Sequence, residues 1–125
     1  MAKDHEDLLR LAMAAVGQDG QMPARIEIAD LPPRADAARQ VVSGPARLST
    51  LRFVLDHSAT TRPTIVAGLH ISSESVAVAL RELEQLGYIS GSVDAPHRNG
   101  RSVRYTANRE AFADDLALLV KWILR

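Results

Sequence analysis

The sequence predicts a mainly α-helical fold with a small β-hairpin: a winged helix-turn-helix with additional N-terminal and C-terminal helices. Three observations lead there. A short apolar helix signal near Pro63 is followed, after a turn at Gly68, His70 and Ile71, by a longer one that Ser72 can cap and Gly87 can stop. Two β-patterned runs then flank the turn-rich span DAPHRNGR. Apolar stripes at helical spacing lie at both ends of the chain.

From Lys3 to Val16, Leu8, Leu9, Ala12, Ala15 and Val16 recur at helical spacing, with Asp4, Glu6 and Asp7 where a helix dipole favours acids. Gly17 ends this helix. Gly20 and Pro23 interrupt the next stretch, and the alternation of Ile26 and Ile28 with Arg25 and Glu27 reads as a short strand or an extended arm within residues 18–31. A short helix fits between Pro32 or Pro33 and Gly44. Pro45 opens another, in which Leu48, Leu51, Phe53, Val54 and Leu55 present a broad apolar face as far as His57 and Ser58.

Thr60 or Thr61 can cap the short helix that carries Ile65, Val66 and Leu69 inward, and His70 suits a turn position with positive φ. In the longer helix, which runs to Leu86, Val76, Leu80 and Leu83 follow i, i+4, i+7, with Glu74 in the first turn. Strands are expected over Tyr88–Val93 and Ser102–Thr106, with Val103 and Tyr105 facing the core and Ser102 and Arg104 facing out. Pro96 and the Asn99-Gly100 pair are hairpin signals. A closing helix from about Arg109 to Leu124 lines Phe112, Leu116, Leu119, Val120 and Ile123 along one side, while Asp114 and Asp115 read as its solvated face. The expected division is residues 1–44 as an N-terminal helix and arm for dimerisation, and 45–125 as the winged helix-turn-helix domain with its closing helix.

Composition bounds the function. The chain has 125 residues, 46% of them apolar, and no cysteine, which removes disulfides, thiolate metal sites and thiol redox sensing. No run approaches the roughly 18 apolar residues of a membrane span, and acids stand at the N-terminus where a signal peptide carries bases, so no membrane partner and a cytoplasmic location are expected. The net charge of zero divides unevenly: residues 1–44 hold five basic and seven acidic side chains (−2), residues 45–110 eight and six (+2), and residues 111–125 two and two (0). Arg98, Arg101 and Arg104 fall together in a stretch without an acid. His5, His57 and His70 stand at no recurrent ligand spacing, and the serines near Ser72 have no base beside them in sequence, so neither a metal, a cofactor nor a catalytic role is expected.

In a helix-turn-helix the second helix lies in the major groove with its N-terminal half toward base edges. That half offers Ser72, Ser73, Glu74, Ser75, Ala77, Val78 and Ala79: hydroxyls for phosphates or base edges, small apolar groups for thymine methyls, and an acid that accepts only from cytosine. Arg81 one turn on and Arg62 on the preceding helix add guanidinium groups for the phosphate backbone. At the hairpin, Arg98, Asn99 and Arg101 can enter a minor groove or clamp phosphates beside Gly100, with Arg104 on the returning strand. The candidate DNA-contacting residues are therefore Arg62, Ser72, Ser73, Ser75, Val78, Arg81, Arg98, Asn99, Arg101 and Arg104.

With these residues assembled, the chain from about Pro45 to Ile123 resembles a winged helix-turn-helix transcriptional regulator of the ArsR and MarR kind. The resemblance is carried by ARLSTLRFVLDH, IVAGLHIS, SVAVALRELEQLGYI, the glycine-bearing arginine wing and the closing helix. It implies a sequence-selective regulator of double-stranded DNA, a repressor acting as a homodimer through its terminal helices on an inverted repeat. Metal-sensing ArsR relatives carry a cysteine pair on the helix before the reading helix, and here that helix reads RPTIVAGL, so the resemblance to that branch stops at fold. The residues identify no small-molecule effector. They also leave open a protein-interaction module in which Ala77, Val78 and Ala79 dock a partner without DNA.

Overall fold

In the computed structural model of the protein, residues 28–125 are described. The helix expected over Lys3–Val16, and residues 18–27 of the expected strand, lie outside them. Residues 28–31 carry a turn rather than a strand, with Asp30 at a φ of 66° that a β-ladder does not accept. From Leu31 to Arg125 the chain forms one compact unit.

Helix α1 (Pro33–Val42) begins with proline at its first position, where a missing N–H leaves nothing unsatisfied. Its inward residues are small: Ala35 and Ala38 bury fully against Leu119, while Ala37 and Val41 join the main core. Helix α2 (Pro45–Asp56) also starts at proline and buries Leu51 and Val54. Its apolar face is narrower than expected, because Leu48 is exposed at the rim of a groove with Leu55 and Phe112.

Helices α3 (Arg62–Leu69) and α4 (Ser73–Leu86) follow, with Ile65 of one and Val76, Leu80 and Leu83 of the other buried together. Gly68, expected in the turn, belongs to α3 instead, where the ring of Phe53 occupies the space a Cβ would need. Ala79, expected on the outer face of α4, is buried; it falls three residues after Val76 and so shares the inward stripe.

The hairpin consists of β1 (Ile89–Gly91) and β2 (Tyr105–Ala107), antiparallel with Ile89 opposite Ala107 and Gly91 opposite Tyr105. Both strands are shorter than the sequence predicts. Beyond Gly91, Ser92 still donates its N–H to the Arg104 carbonyl, but its hydroxyl takes the Arg104 N–H and the ladder ends there. The Asn99-Gly100 signal is satisfied by a turn within the connecting loop, not by a two-residue hairpin. The Arg101 N–H bonds the Arg98 carbonyl at 2.9 Å, and Gly100 supplies the positive φ, 73°, at the third position that a type II turn requires. Thr60 extends the sheet by a bridge in which its N–H and C=O pair with Tyr105 at 3.1 and 2.7 Å.

Helix α5 (Arg109–Leu124) is capped by the Asn108 side chain, which accepts from the Ala111 N–H. It departs from expectation at Asp115. Asp115 is not on a solvated face: it is buried and accepts Arg34 Nε and Nη2 at 3.0 and 2.6 Å and the Tyr88 hydroxyl at 2.7 Å. It sits three residues after Phe112 and four before Leu119, on the inward stripe, and its partners make an acid there tolerable. Asp114 is exposed. Val120 and Ile123, on the apolar side that the sequence assigns to this helix, are exposed, at 46% and 59%, where the helix runs on beyond the contact of Leu119 with α1. Among the described residues no single helix is long and apolar enough to cross a membrane.

A candidate nucleic-acid interface

The chain turns by 119° between α3 and α4, within the range for two helices of a helix-turn-helix. His70 makes the turn in the left-handed conformation, φ 56°, and Ser72 then caps α4 by accepting the Ser75 N–H at 3.0 Å. The Ser72 hydroxyl also donates to that of Ser75 at 2.8 Å, so these two candidate contacts hold each other, while Ser73 is exposed with its hydroxyl in no hydrogen bond among the described residues.

The outer surface of α4 divides. Glu74, Ser75, Val78 and Glu82 face a groove of about 450 Å³ shared with the first turn of α2, where Arg47 Nη1 meets Glu82 at 2.7 Å. Val78 is 36% exposed there. On the other side Ala77, Arg81 and Glu84 face Arg62, Arg98 and Tyr105 across a groove of about 210 Å³. A third groove, about 320 Å³, brings Arg62 against Arg98, Arg101 and Ser102 of the wing loop. Arg62 is common to both arginine-lined grooves, so α3, α4 and the wing bring guanidinium groups to one region.

The arginines divide by what they touch. Arg34, Arg39, Arg47, Arg52 and Arg98 are ion-paired, with Asp115, Asp36, Glu82, Asp56 and Glu84 respectively. Arg62, Arg81, Arg101 and Arg104 are exposed and in no ion pair among the described residues. All four are candidate contacts from the sequence. Unpaired guanidinium groups keep their planar donor fork available for phosphate oxygens. Arg104 stands apart from the other three. It projects from the opposite side of the returning chain to Val103 and Tyr105, and its Nη1 reaches the Ala59 carbonyl at 3.3 Å.

Arg98 has another position from the one a hairpin tip suggests. Its guanidinium turns inward and grips Glu84 in a fork, Nη2 to Oε1 at 2.8 Å and Nη1 to Oε2 at 3.1 Å, while Nε donates to the Val93 carbonyl at 2.8 Å. It also lies over the Tyr105 ring, 5.7 Å from the centroid. The Glu84 bonds raise the Arg98 pKa further, and burial raises that of the Tyr105 phenol. Gly91 makes room: a Cβ there would stand 2.5 Å from Arg98 Nη2 and 2.9 Å from Val103 Cγ1. Glu84 and Gly91 are thus parts of the site that local sequence patterns do not single out. Asn99 is exposed at the turn beside this clamp.

No family model matches the sequence, and no curated protein matches it. Among solved structures the chain is similar to MarR, 15% identical, with 96% of this chain and 72% of that one covered and a TM-score of 0.50. A second, described as a MarR family transcription regulator, is 13% identical, with 99% and 75% covered and a TM-score of 0.50. YusO from Bacillus subtilis is 18% identical, with 100% and 82% covered and a TM-score of 0.49. At such identities the likeness is one of fold: the chain has the winged helix-turn-helix architecture of MarR.

Proposed function

We propose that this protein is a cytoplasmic, sequence-selective DNA-binding transcriptional regulator, a repressor that acts as a homodimer on an inverted repeat. The observation that carries this reading is the set of unpaired guanidinium groups of Arg62, Arg81 and Arg101, drawn from α3, α4 and the wing loop to the two grooves that share Arg62. A duplex backbone supplies the missing anions. Ser72, Ser73, Ser75 and Val78 face base edges and sugar-phosphate on α4, Asn99 and Arg104 flank the wing contact, and Arg98 contributes chiefly by holding the wing against Glu84.

The homodimer is supported by the far end of α5, where Leu118, Val120, Ile123 and Leu124 are exposed at 42, 46, 59 and 77%. A second copy covers such a stripe with its own, and twofold symmetry then places two α4 helices about 34–36 Å apart, one turn of duplex.

The test is the salt dependence of binding to a random-sequence duplex pool, followed by selection of the preferred site. Affinity falls steeply with salt, and Arg62→Ala, Arg81→Ala and Arg101→Ala each weaken binding on every sequence while lowering the logarithmic salt slope by about 1. An interaction with duplex that ignores salt, or slopes unchanged in all three variants, overturns the reading. The symmetry of the selected site reports the dimer.

A further inference from the structure

We infer that Asn99-Gly100 is a site of spontaneous deamidation, and that its conversion weakens the protein's hold on DNA. The second half rests on the proposed DNA-binding function. Both residues are exposed, at the turn closed by the Arg101 N–H on the Arg98 carbonyl. Among the described residues, neither the Asn99 side-chain amide nor the Gly100 N–H is in a hydrogen bond. Apart from its two chain neighbours, no heavy atom lies within 4 Å of the place a Cβ of Gly100 would take, so no other part of the molecule crowds this glycine, and glycine itself adds no side chain to obstruct ring closure.

The chemistry needs only water. The Gly100 backbone nitrogen, its proton removed by hydroxide, attacks Cγ of Asn99; the bond from Cγ to the amide nitrogen breaks and ammonia leaves, carrying that proton equivalent. A five-membered succinimide results. Water then opens it at Cγ to give aspartate, or at the backbone carbonyl to give isoaspartate, in which the chain runs through the former side chain. Nothing is oxidised or reduced. Either product places a carboxylate in the chain between Arg98, which is paired with Glu84, and Arg101, which is in no ion pair among the described residues.

The sequence provides its own control. Its second asparagine, Asn108, caps α5 with its side-chain oxygen on the Ala111 N–H at 3.2 Å and precedes arginine. A held amide before a bulky residue does not reach the attacking geometry.

The experiment ages full-length protein at mildly alkaline pH and follows it by intact mass, peptide mapping and binding to the selected duplex. The result expected is replacement of amide by acid at position 99 and not at 108, at a rate rising with hydroxide, together with a loss of affinity of roughly fivefold, the worth of one unit charge at about 4 Å in water. Asn99→Asp shows that reduced affinity without ageing. Asn99→Gln, whatever its starting affinity, loses the dependence on age, because its ring closure is slower. Three results overturn the inference: Asn99 stays intact, Asn108 converts at the same rate, or Asn99→Asp binds like the unaged parent. Unaged protein that does not bind duplex at all instead overturns the reading on which the second half rests, and the mass data still decide the first.

Discussion

Arg34 and Arg98 each lie over a tyrosine ring, Tyr88 at 5.5 Å and Tyr105 at 5.7 Å, and each grips a carboxylate. The two clamps differ in what the carboxylate must do. Asp115 is buried and collects the Tyr88 hydroxyl as well as two bonds from Arg34, whose Nη2 also reaches the Leu86 carbonyl. One oxygen of Asp115 therefore joins α1, Tyr88 and α5, and Arg34 adds the end of α4 through the Leu86 carbonyl. Glu84 receives Arg98 alone, with a fifth of its side chain exposed, and fastens one loop to one helix. The same chemistry thus serves global stability in one place and local order in the other.

That contrast can be broken by substitution. Asp115→Ala strips the partner from a buried phenol and is expected to cost about 2–3 kcal/mol in denaturant unfolding. Glu84→Ala frees a guanidinium that can turn to water, so its cost is about 1 kcal/mol. Equal losses in the two variants would erase the distinction between the clamps. Glu84→Ala should instead speed proteolysis within residues 92–104 and lower affinity for all duplexes alike.

High pH sharpens the same comparison. Burial and then the Asp115 bond push the Tyr88 phenol well above its ordinary value, and burial does the same, more weakly, to Tyr105. Since the folded pKa is raised, this contribution is complete below the unfolded pKa, about 10, and is lost as pH climbs from there toward the folded value. Stability should fall above about pH 10 by up to about 1.4 kcal/mol per pH unit for each tyrosine. Tyr88→Phe flattens that fall more than Tyr105→Phe does; the reverse order would place the tighter clamp at the wing. Thermal melts across that range decide it. The smallest effect belongs to α5: Ile123→Glu leaves monomer stability within about 0.5 kcal/mol while shifting sedimentation toward the monomer.

What the sequence discloses is local. Proline starts, the Ser72 cap, the Gly87 stop and the positive φ of His70 are each set by a residue and its immediate neighbours, and they appear where expected. Periodicity likewise places Val76, Leu80 and Leu83 inward. Pairings across the chain are not local. Arg34 and Asp115 are 81 residues apart; helical spacing sets Asp115 on the inward stripe, but nothing beside it in sequence names the arginine and the tyrosine that make an acid tolerable there. Arg98 looks like its neighbour Arg101 for the same reason: the acid that claims it lies on another element. The candidate interface is therefore legible as a set of residue types, while the division between ion-paired and unpaired arginines depends on the fold.

The bridge between Thr60 and Tyr105 bears on what kind of target the protein accepts. Arg62 follows Thr60 by two residues, so the start of α3 and the base of the wing are stitched into one piece by two backbone hydrogen bonds. On the proposed reading these are the fixed jaws of a caliper. A duplex that does not match their span has to deform to fit, and the energy of that deformation, which differs from sequence to sequence, becomes a means of choosing among sites with few contacts to bases.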